Sequence, residues 1–222
     1  VKQKERRKRR EKMGKPVFFT LTNCPRKLKG ISDRYNYKAN MHNLIFKDAT
    51  FRNVKYQASI ITKCNFNGTR LIGIDFFNSN IKGSSFKNAV LKDVVFFNCN
   101  LNNVDFKGAQ LERVAFISTN IKVAKNLTIN DQCKIYTTYP KIHMDEATKH
   151  TLLSLSENEG IYRYKALHVN KNKLNLWCLQ ILLDSYGIET YQALCVLKEK
   201  QSKQRFFTVY SYKQFIEKQL LL

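Results

Sequence analysis

The sequence has few acidic residues. Only 17 Asp and Glu residues stand against 39 Lys and Arg residues in a chain of 222, so the formal net charge is +22. Residues 1–40 hold fourteen basic and three acidic residues, residues 41–123 eleven and five, and residues 124–222 fourteen and nine. Such an excess repels itself unless a polyanion or an acidic partner compensates it. We therefore expect DNA, RNA or a ribonucleoprotein as the partner.

The sequence also lacks the motifs of known enzyme classes. It contains no Gly-rich phosphate loop, no nucleophile elbow and no paired-carboxylate motif. Six cysteines show no CxxC spacing, and His143 and His150, with Asp145 and Glu146 between them, match no established metal-ligand spacing. We expect a protein without enzymatic activity, metal or cofactor, and an enzyme of unrecognised class is the third alternative.

Long apolar runs are missing as well. No stretch approaches the ~18 apolar residues of a membrane-spanning helix. The basic N-terminal stretch has no apolar core of the kind found in signal peptides. The cysteine usage fits a reducing environment. We expect no membrane partner and a cytoplasmic location.

What the sequence does contain is a strict period of five. A large apolar residue recurs at every fifth position over seventeen steps, at Met41, Phe46, Phe51, Tyr56, Ile61, Phe66, Leu71, Phe76, Ile81, Phe86, Leu91, Phe96, Leu101, Phe106, Leu111, Phe116 and Ile121. A helix requires a period near 3.6 and a half-buried strand a period of 2, so neither explains it. Similar residues recur every twenty positions. The pattern therefore predicts coils with four sides, in which like side chains stack on like.

These residues resemble the pentapeptide-repeat proteins, whose consensus is a small residue, Asn or Asp, Leu or Phe, and two variable positions. Matching runs are SNIKG (79–83), CNLNN (99–103), VDFKG (104–108), AQLER (109–113) and TNIKV (119–123). The resemblance covers residues 39–123. It implies a mainly β fold, a right-handed quadrilateral β-helix of about four coils with the large residues inside. It does not imply an activity, because one fold serves many functions.

The remaining sequence divides into three further segments. Residues 1–16 form a basic arm, and residues 17–38, with a strand at 17–22, form an N-terminal cap. Residues 124–222 form a mostly helical module, with helices predicted at 145–155, 171–187, 189–205 and 211–222. Asp145 caps the first of these helices and Ser211 the last. The module either docks on the β-helix or forms a homodimer through its C-terminal helices.

The candidate nucleic-acid-binding residues are basic side chains of the arm, the cap and two sides of the β-helix. They are Arg6, Arg7, Lys8, Arg9 and Arg10; Arg26, Lys27, Lys29 and Arg34; Lys47, Lys87 and Lys107; and Arg52, Arg70 and Lys92. Coils stack about 4.8 Å apart, so four coils present a basic surface roughly 20 Å tall. The alternative is a solvated tail and an ordinary soluble surface.

The candidate protein-docking residues are outward-facing apolar side chains on a single side: Phe77, Val95, Phe97 and Ile117. A contiguous apolar patch marks a docking site, so we expect the C-terminal module or a partner protein to cover it. The resemblance also suggests an alternative function, a topoisomerase-interacting or gyrase-protecting factor that imitates duplex DNA. Such mimicry needs a negative surface, and the sign of the charge in this chain argues against it.

Overall fold

The structure is a computed structural model that describes residues 19–199 and 204–221. The chain divides into two compact units, and the boundary lies between Ile135 and Tyr136. The predicted basic arm, with Arg6, Arg7, Lys8, Arg9 and Arg10, lies outside the described residues.

The first unit is a parallel β-solenoid built from short strands. They are β1 (Thr20–Thr22), β2 (Ser32–Tyr37), β3 (Asn40–His42), β4 (Thr50–Gln57), β5 (Ile60–Thr62), β6 (Arg70–Phe77), β7 (Val90–Lys92), β8 (Val95–Phe97), β9 (Gln110–Glu112), β10 (Ala115–Ile117) and β11 (Lys134–Tyr136). Strands β1 to β10 pair with partners twenty residues away, as Arg70 pairs with Val90 and Val90 with Gln110. This register confirms the predicted twenty-residue coil.

The solenoid has about six turns rather than the predicted four. One side is a series of single bridges that links Lys27, Ile45, Asn65, Ser85, Asp105 and Lys125 in successive turns. The additional first turn lies in the segment predicted to be a cap. Its period is broken, because Lys27 pairs with Ile45, eighteen rather than twenty residues away. Leu28, two positions out of phase with the repeat, packs against the core, which is why the sequence pattern misses this turn.

The large residues of the repeat point inward and stack in columns. Phe66 and Phe86 have ring centroids 4.9 Å apart and nearly parallel planes, and Phe106 continues the column at 5.4 Å from Phe86. A second column runs through Tyr56, Phe76, Phe96 and Phe116 at 5.2–5.5 Å. Offset-stacked rings at such distances add to the free energy of burial. The inward placement predicted from the period is confirmed.

The small inward residues join neighbouring turns by hydrogen bonds. The Ser84 hydroxyl accepts from the Cys64 amide (3.0 Å) and donates to the Ile61 carbonyl (2.8 Å). The Cys99 thiol donates to the Phe76 carbonyl at 3.2 Å. Burial raises the pKa of the Cys64 thiol to about 11. At Ser84 and Cys99 the small inward side chain therefore also joins two turns by a hydrogen bond, whereas Ala49 and Ala89 fill equivalent positions without one.

Each corner of the solenoid has a residue with left-handed backbone. From Asp33 to Ser118, φ is positive at every fifth residue. Most of these residues are Asn, Asp or Gly, which adopt this conformation at low cost. At Gly68, with φ of +65°, a Cβ would also collide with the carboxylate of Asp48. The corner residues therefore explain why the positions that the consensus leaves variable are rich in Asn, Asp and Gly.

The second unit is mostly helical. Its helices are α1 (Glu146–Ser154), α2 (Glu159–Tyr162), α3 (Leu176–Tyr186), α4 (Glu189–Glu199) and α5 (Val209–Leu220), and it also contains the antiparallel pair β12 (His168–Asn170) and β13 (Lys173–Leu174). Asp145 accepts from the Thr148 amide, so the predicted cap of α1 is confirmed.

Two predicted helix starts in this unit are wrong. The helix expected from residue 171 begins only at Leu176, because Lys173 and Leu174 pair as a strand and Asn175 is the N-cap. Helix α5 begins two residues before Ser211. Thr208 is its N-cap, and Ser211 completes a reciprocal capping box. In both places the position of the N-cap residue, and not the spacing of apolar residues, determines where the helix begins.

Candidate nucleic-acid interface

We name the four sides of the solenoid by the strands that form them. Face 1 contains β1, β3 and β5 and continues through bridges at Asn80 and Asn100. Face 2 is the series of bridges from Lys27 to Lys125. Face 3 contains the first halves of β4 and β6 together with β7 and β9. Face 4 contains the second halves of β4 and β6 together with β8 and β10.

The predicted basic residues of the solenoid lie on two of these faces. Their positions in the register place Lys47, Lys87 and Lys107 on face 2, and Arg52, Arg70 and Lys92 on face 3. The remaining candidates belong to the first turn, where Arg26, Lys27 and Lys29 precede β2 and Arg34 lies within it. The structure therefore brings the solenoid candidates together as two separate groups.

Carboxylates neutralise part of faces 2 and 3. The Nζ atoms of Lys27 and Lys87 lie 3.1 and 3.2 Å from the carboxylates of Asp48 and Asp105. The pKa of Asp105 is lowered by a hydrogen bond from Asn126 and further by Lys87. Each of these two ion pairs joins neighbouring turns. The cations that were predicted to contact phosphate are therefore partly satisfied within the protein.

An ion-pair network crosses the corner next to face 3. Arg113 binds both oxygens of Asp93, at 2.9 Å from Nε and 2.7 Å from Nη2, and its Nη1 lies 2.8 Å from Glu112. Lys92 contacts Glu112 as well, at 2.7 Å. The hydrogen bond to Asp93 raises the pKa of Arg113. A bidentate pair of this kind holds its geometry better than an ordinary surface pair.

Face 1 has a different charge pattern. After β1, five further segments cross it, 38–43, 58–63, 78–83, 98–103 and 118–123, and these five contain no Asp or Glu. They contain four lysines, which are all exposed: Lys38, Lys63, Lys82 and Lys122. Within residues 19–199 and 204–221, none of these four forms an ion pair.

The candidate set from the sequence omits these lysines. The signal that would have found them is the absence of acids from every fourth pentapeptide. The lack of Asp and Glu in these segments defines a surface without acidic residues only in the folded protein, where the segments lie side by side.

A ladder of asparagines runs along face 1. The Oδ1 atoms of Asn80, Asn100 and Asn120 accept from the backbone amides two residues later, at 3.0–3.1 Å. Each side chain is therefore held in place through its oxygen. In the described part of the chain, none of the three Nδ2 groups donates a hydrogen bond to the protein. Face 1 thus presents amide donors beside its lysines.

Face 4 carries the predicted docking residues on adjacent strands. Phe77, Val95 and Ile117 are 7, 3 and 1% exposed, and Phe97 is half-buried with its ring 4.7 Å from that of Phe77. Lys55, also fully buried, places its Nζ 4.1 Å from the centre of the Phe77 ring. The apolar patch is therefore buried, and its role as a docking surface stays a prediction.

The sequence of residues 49–125 matches the family model described as "Pentapeptide repeat region". Residues 49–125 are a pentapeptide-repeat region. Proteins with such repeats are generally structural or binding proteins. The resemblance inferred from the sequence is confirmed.

Several solved structures of pentapeptide-repeat proteins are similar to part of this chain. One, from the thylakoid lumen of Arabidopsis thaliana, is 20% identical with a TM-score of 0.37, covering 50% of this chain and 72% of that one. QnrB1, a plasmid-mediated fluoroquinolone resistance protein, is 17% identical with a TM-score of 0.37, covering 48% and 58%. A protein from the cyanobacterium Cyanothece is 16% identical with a TM-score of 0.18, covering 55% and 97%. A search of curated proteins finds no match.

Residues 19–199 and 204–221 contain no group of three His, Cys, Asp or Glu side chains that could hold a metal ion. His143 lines a cavity of about 310 Å³ in the second unit together with Lys149 and Leu174, and His150 is exposed on α1. None of the helices in these ranges has the length and apolar character needed to cross a membrane.

Proposed function

We propose that this protein is a non-catalytic scaffold that binds nucleic acid or a ribonucleoprotein through the basic faces of its pentapeptide-repeat solenoid. The observation that carries the proposal is the distribution of charge. Residues 41–123 contain eleven basic and five acidic residues, and Asp48, Asp93, Asp105 and Glu112 each already hold a cation of the protein. The cations of this region outnumber its acids, and Lys63, Lys82 and Lys122 have no ion-pair partner within residues 19–199 and 204–221. A polyanion would supply the missing charge.

The proposed binding is electrostatic and depends on the backbone of the nucleic acid. Lysine and arginine side chains neutralise phosphates and release condensed counterions, so the affinity falls as salt rises. A rigid solenoid suits this role, because its turns hold side chains at a constant spacing. Cys64 and Cys99 are free, buried thiols, and this supports placing the protein in a reducing compartment such as the cytoplasm.

We propose protein docking as the second activity of the scaffold. Face 4 and the C-terminal helices are the surfaces concerned, with Phe77, Val95, Phe97 and Ile117 as the apolar contacts. The partner is either another part of the chain, a second copy that pairs through the C-terminal helices, or a separate protein. The support is that Phe77, Val95 and Ile117 are buried, with Phe97 half-buried beside them.

Imitation of duplex DNA, the alternative suggested by the family resemblance, has less support. A mimic must present negative charge to a positively charged DNA-binding surface. Here Asp93 is 3% exposed at its side chain and is bound by Arg113, and the other carboxylates of faces 2 and 3 also hold cations. The charge pattern therefore favours a protein that binds a polyanion over one that imitates it.

The experiment is fluorescence anisotropy of the full chain with a labelled 20-nucleotide RNA, a DNA strand of the same length and the corresponding duplex. We expect micromolar or tighter binding at about 50 mM salt, which weakens in proportion to the number of phosphates neutralised as salt rises. Poly-glutamate serves as a matched polyanion without phosphate. Failure to bind any of the nucleic acids, or equally effective competition by poly-glutamate, would refute the proposal and indicate an acidic protein as the partner.

A further inference from the structure

We infer that face 1 is the surface that holds the nucleic acid, and that it holds a single strand laid along the solenoid axis. This inference rests on the proposed function, since it specifies which side of the same scaffold is used and what form of nucleic acid it takes. It differs from the sequence-based candidate set, which takes its basic residues from the arm, the cap and faces 2 and 3.

The first argument is the charge of the competing faces. On face 2, Lys27 and Lys87 have carboxylate partners, and on face 3 Lys92 has Glu112. A phosphate that approaches those lysines competes with an existing ion pair and meets a nearby negative charge. Lys82 on face 1 has no carboxylate partner among the described residues, and the segments of face 1 contain no acid. A phosphate on face 1 is therefore attracted by the lysines and is not repelled by any carboxylate of these segments.

The second argument is the spacing of the donors. Successive turns lie about 4.8 Å apart, so Lys82 and Lys122, which occupy equivalent positions two turns apart, are separated by about 9.6 Å along the axis. Lys63 lies at the adjoining corner, one turn before Lys82. The part of face 1 from Asn40 to Asn120 is about 19 Å tall. Several consecutive phosphates of one extended strand fit within this height.

The third argument is the asparagine ladder between the lysines. The Oδ1 atoms of Asn80, Asn100 and Asn120 are used by the backbone, which fixes the side chains and leaves the Nδ2 groups as donors. Asparagine amides commonly donate to phosphate and sugar oxygens in complexes with nucleic acid. Because the ladder is already ordered by the turns, binding costs little side-chain entropy.

The shape of face 1 favours a single strand over a duplex. A flat β-face touches a cylindrical duplex only along a line, whereas an extended strand can follow the column of Lys82 and Lys122 and reach the asparagines as well. No Phe, Tyr or Trp occurs in the five segments that follow β1, so this part of face 1 offers no platform for base stacking. The contact is therefore with the backbone, and recognition is independent of base sequence.

The test compares two triple variants with the same change of charge. The first, Lys63→Gln, Lys82→Gln and Lys122→Gln, removes cations of face 1, and the second, Lys27→Gln, Lys87→Gln and Lys92→Gln, removes paired cations of faces 2 and 3. Binding of the full-length variants to a 20-nucleotide oligo-U is measured by anisotropy over 50–200 mM salt. Each phosphate contact contributes about 0.7 to the slope of log K against log salt for a single strand.

We expect the face 1 variant to reduce that slope by about 2 and the control variant to reduce it by less than 1. Equal losses in the two variants, or a larger loss in the control, would overturn the assignment to face 1 while leaving the proposed function intact. Absence of binding by the unaltered protein would instead refute the proposed function. Equally tight binding of a 20-base-pair duplex, with the same dependence on face 1, would overturn the preference for a single strand.

A second pair of variants tests the asparagine ladder. Asn100→Asp keeps the oxygen that caps the turn but replaces the amide donor with a negative charge. The turn tolerates this change, because Asp105 accepts from the Lys107 amide at 3.0 Å in the corresponding position of the next pentapeptide. The matched control is Asn65→Asp. The Asn65 side-chain oxygen accepts from a backbone amide two residues later in the equivalent turn on face 2.

We expect Asn100→Asp to weaken oligo-U binding at least threefold and Asn65→Asp to weaken it by a smaller factor, with melting temperatures unchanged in both. An equal loss of affinity in the two variants would show that the charge acts at long range and that the ladder does not contact the strand.

Discussion

Removal of the Ser84 hydroxyl tests whether the small inward residues stabilise the solenoid through hydrogen bonds or only through their small volume. Ser84 is 1% exposed, and its hydroxyl bridges the Cys64 amide and the Ile61 carbonyl of the preceding turn. The variant Ser84→Ala keeps the volume nearly constant but leaves the buried Cys64 amide without its acceptor. Leaving a buried donor unsatisfied costs about 1–3 kcal/mol, so the free energy of unfolding should fall by that amount.

The assay is urea unfolding followed by far-ultraviolet circular dichroism, together with hydrogen exchange at the Cys64 amide. The control is Ser85→Ala, because the neighbouring Ser85 hydroxyl points outward to Asn67. Its effect should stay within about 0.5 kcal/mol, as for other surface substitutions. Ser84→Cys should recover part of the loss, since Cys99 forms the equivalent bond to the Phe76 carbonyl. Equal stability of the two alanine variants, or an unchanged exchange rate at Cys64, would refute the hydrogen-bonding explanation.

Two further predictions concern the second unit and face 4. His168 is buried with Nε2 2.9 Å from the Leu152 carbonyl, and burial lowers its pKa, with the Lys165 charge adding to this. Its neutral form therefore stabilises the fold above about pH 6.5, and this contribution is lost as pH falls through the folded-state pKa. His168→Gln should flatten the pH dependence of urea unfolding below pH 7; an unchanged profile would exclude His168 as the titrating group. Phe97→Asp should cost about 1–3 kcal/mol, because it places a carboxylate beside Phe77; an unaltered melting temperature would mean that face 4 is open to solvent.

The side chains that point into the solenoid could be predicted from the sequence. A period of five is incompatible with a single helix or strand, and only a coil of four short sides gives every fifth residue the same environment. The columns through Phe66, Phe86 and Phe106 follow from this directly. The first turn could not be predicted in this way, because Leu28 reaches the core from a position two residues out of phase. The core can accommodate an apolar side chain that lies two residues out of phase, but a pattern of every fifth residue does not reveal it.

Helix ends illustrate the same limit on a smaller scale. Apolar spacing indicated helices near α3 and α5, but the starts depend on which side chain caps the first free amides. Asn175 and Thr208 do so, and Ser211 acts from inside the helix. A sequence offers several polar residues near each helix start, and the surrounding packing selects among them.

The sequence by itself determined the excess of positive charge, the twenty-residue coil and the residues that fill its interior. Only the tertiary structure decided which cations remain available to a partner. Ion pairs such as Arg113 with Asp93 join residues twenty positions apart, and they form because successive turns lie side by side. Coulombic attraction depends on distance through space, screened over about 10 Å at 0.1 M salt, and not on separation along the chain. The same count of charges therefore produces two partly neutralised faces and one, face 1, whose lysines have no acidic neighbour in its segments.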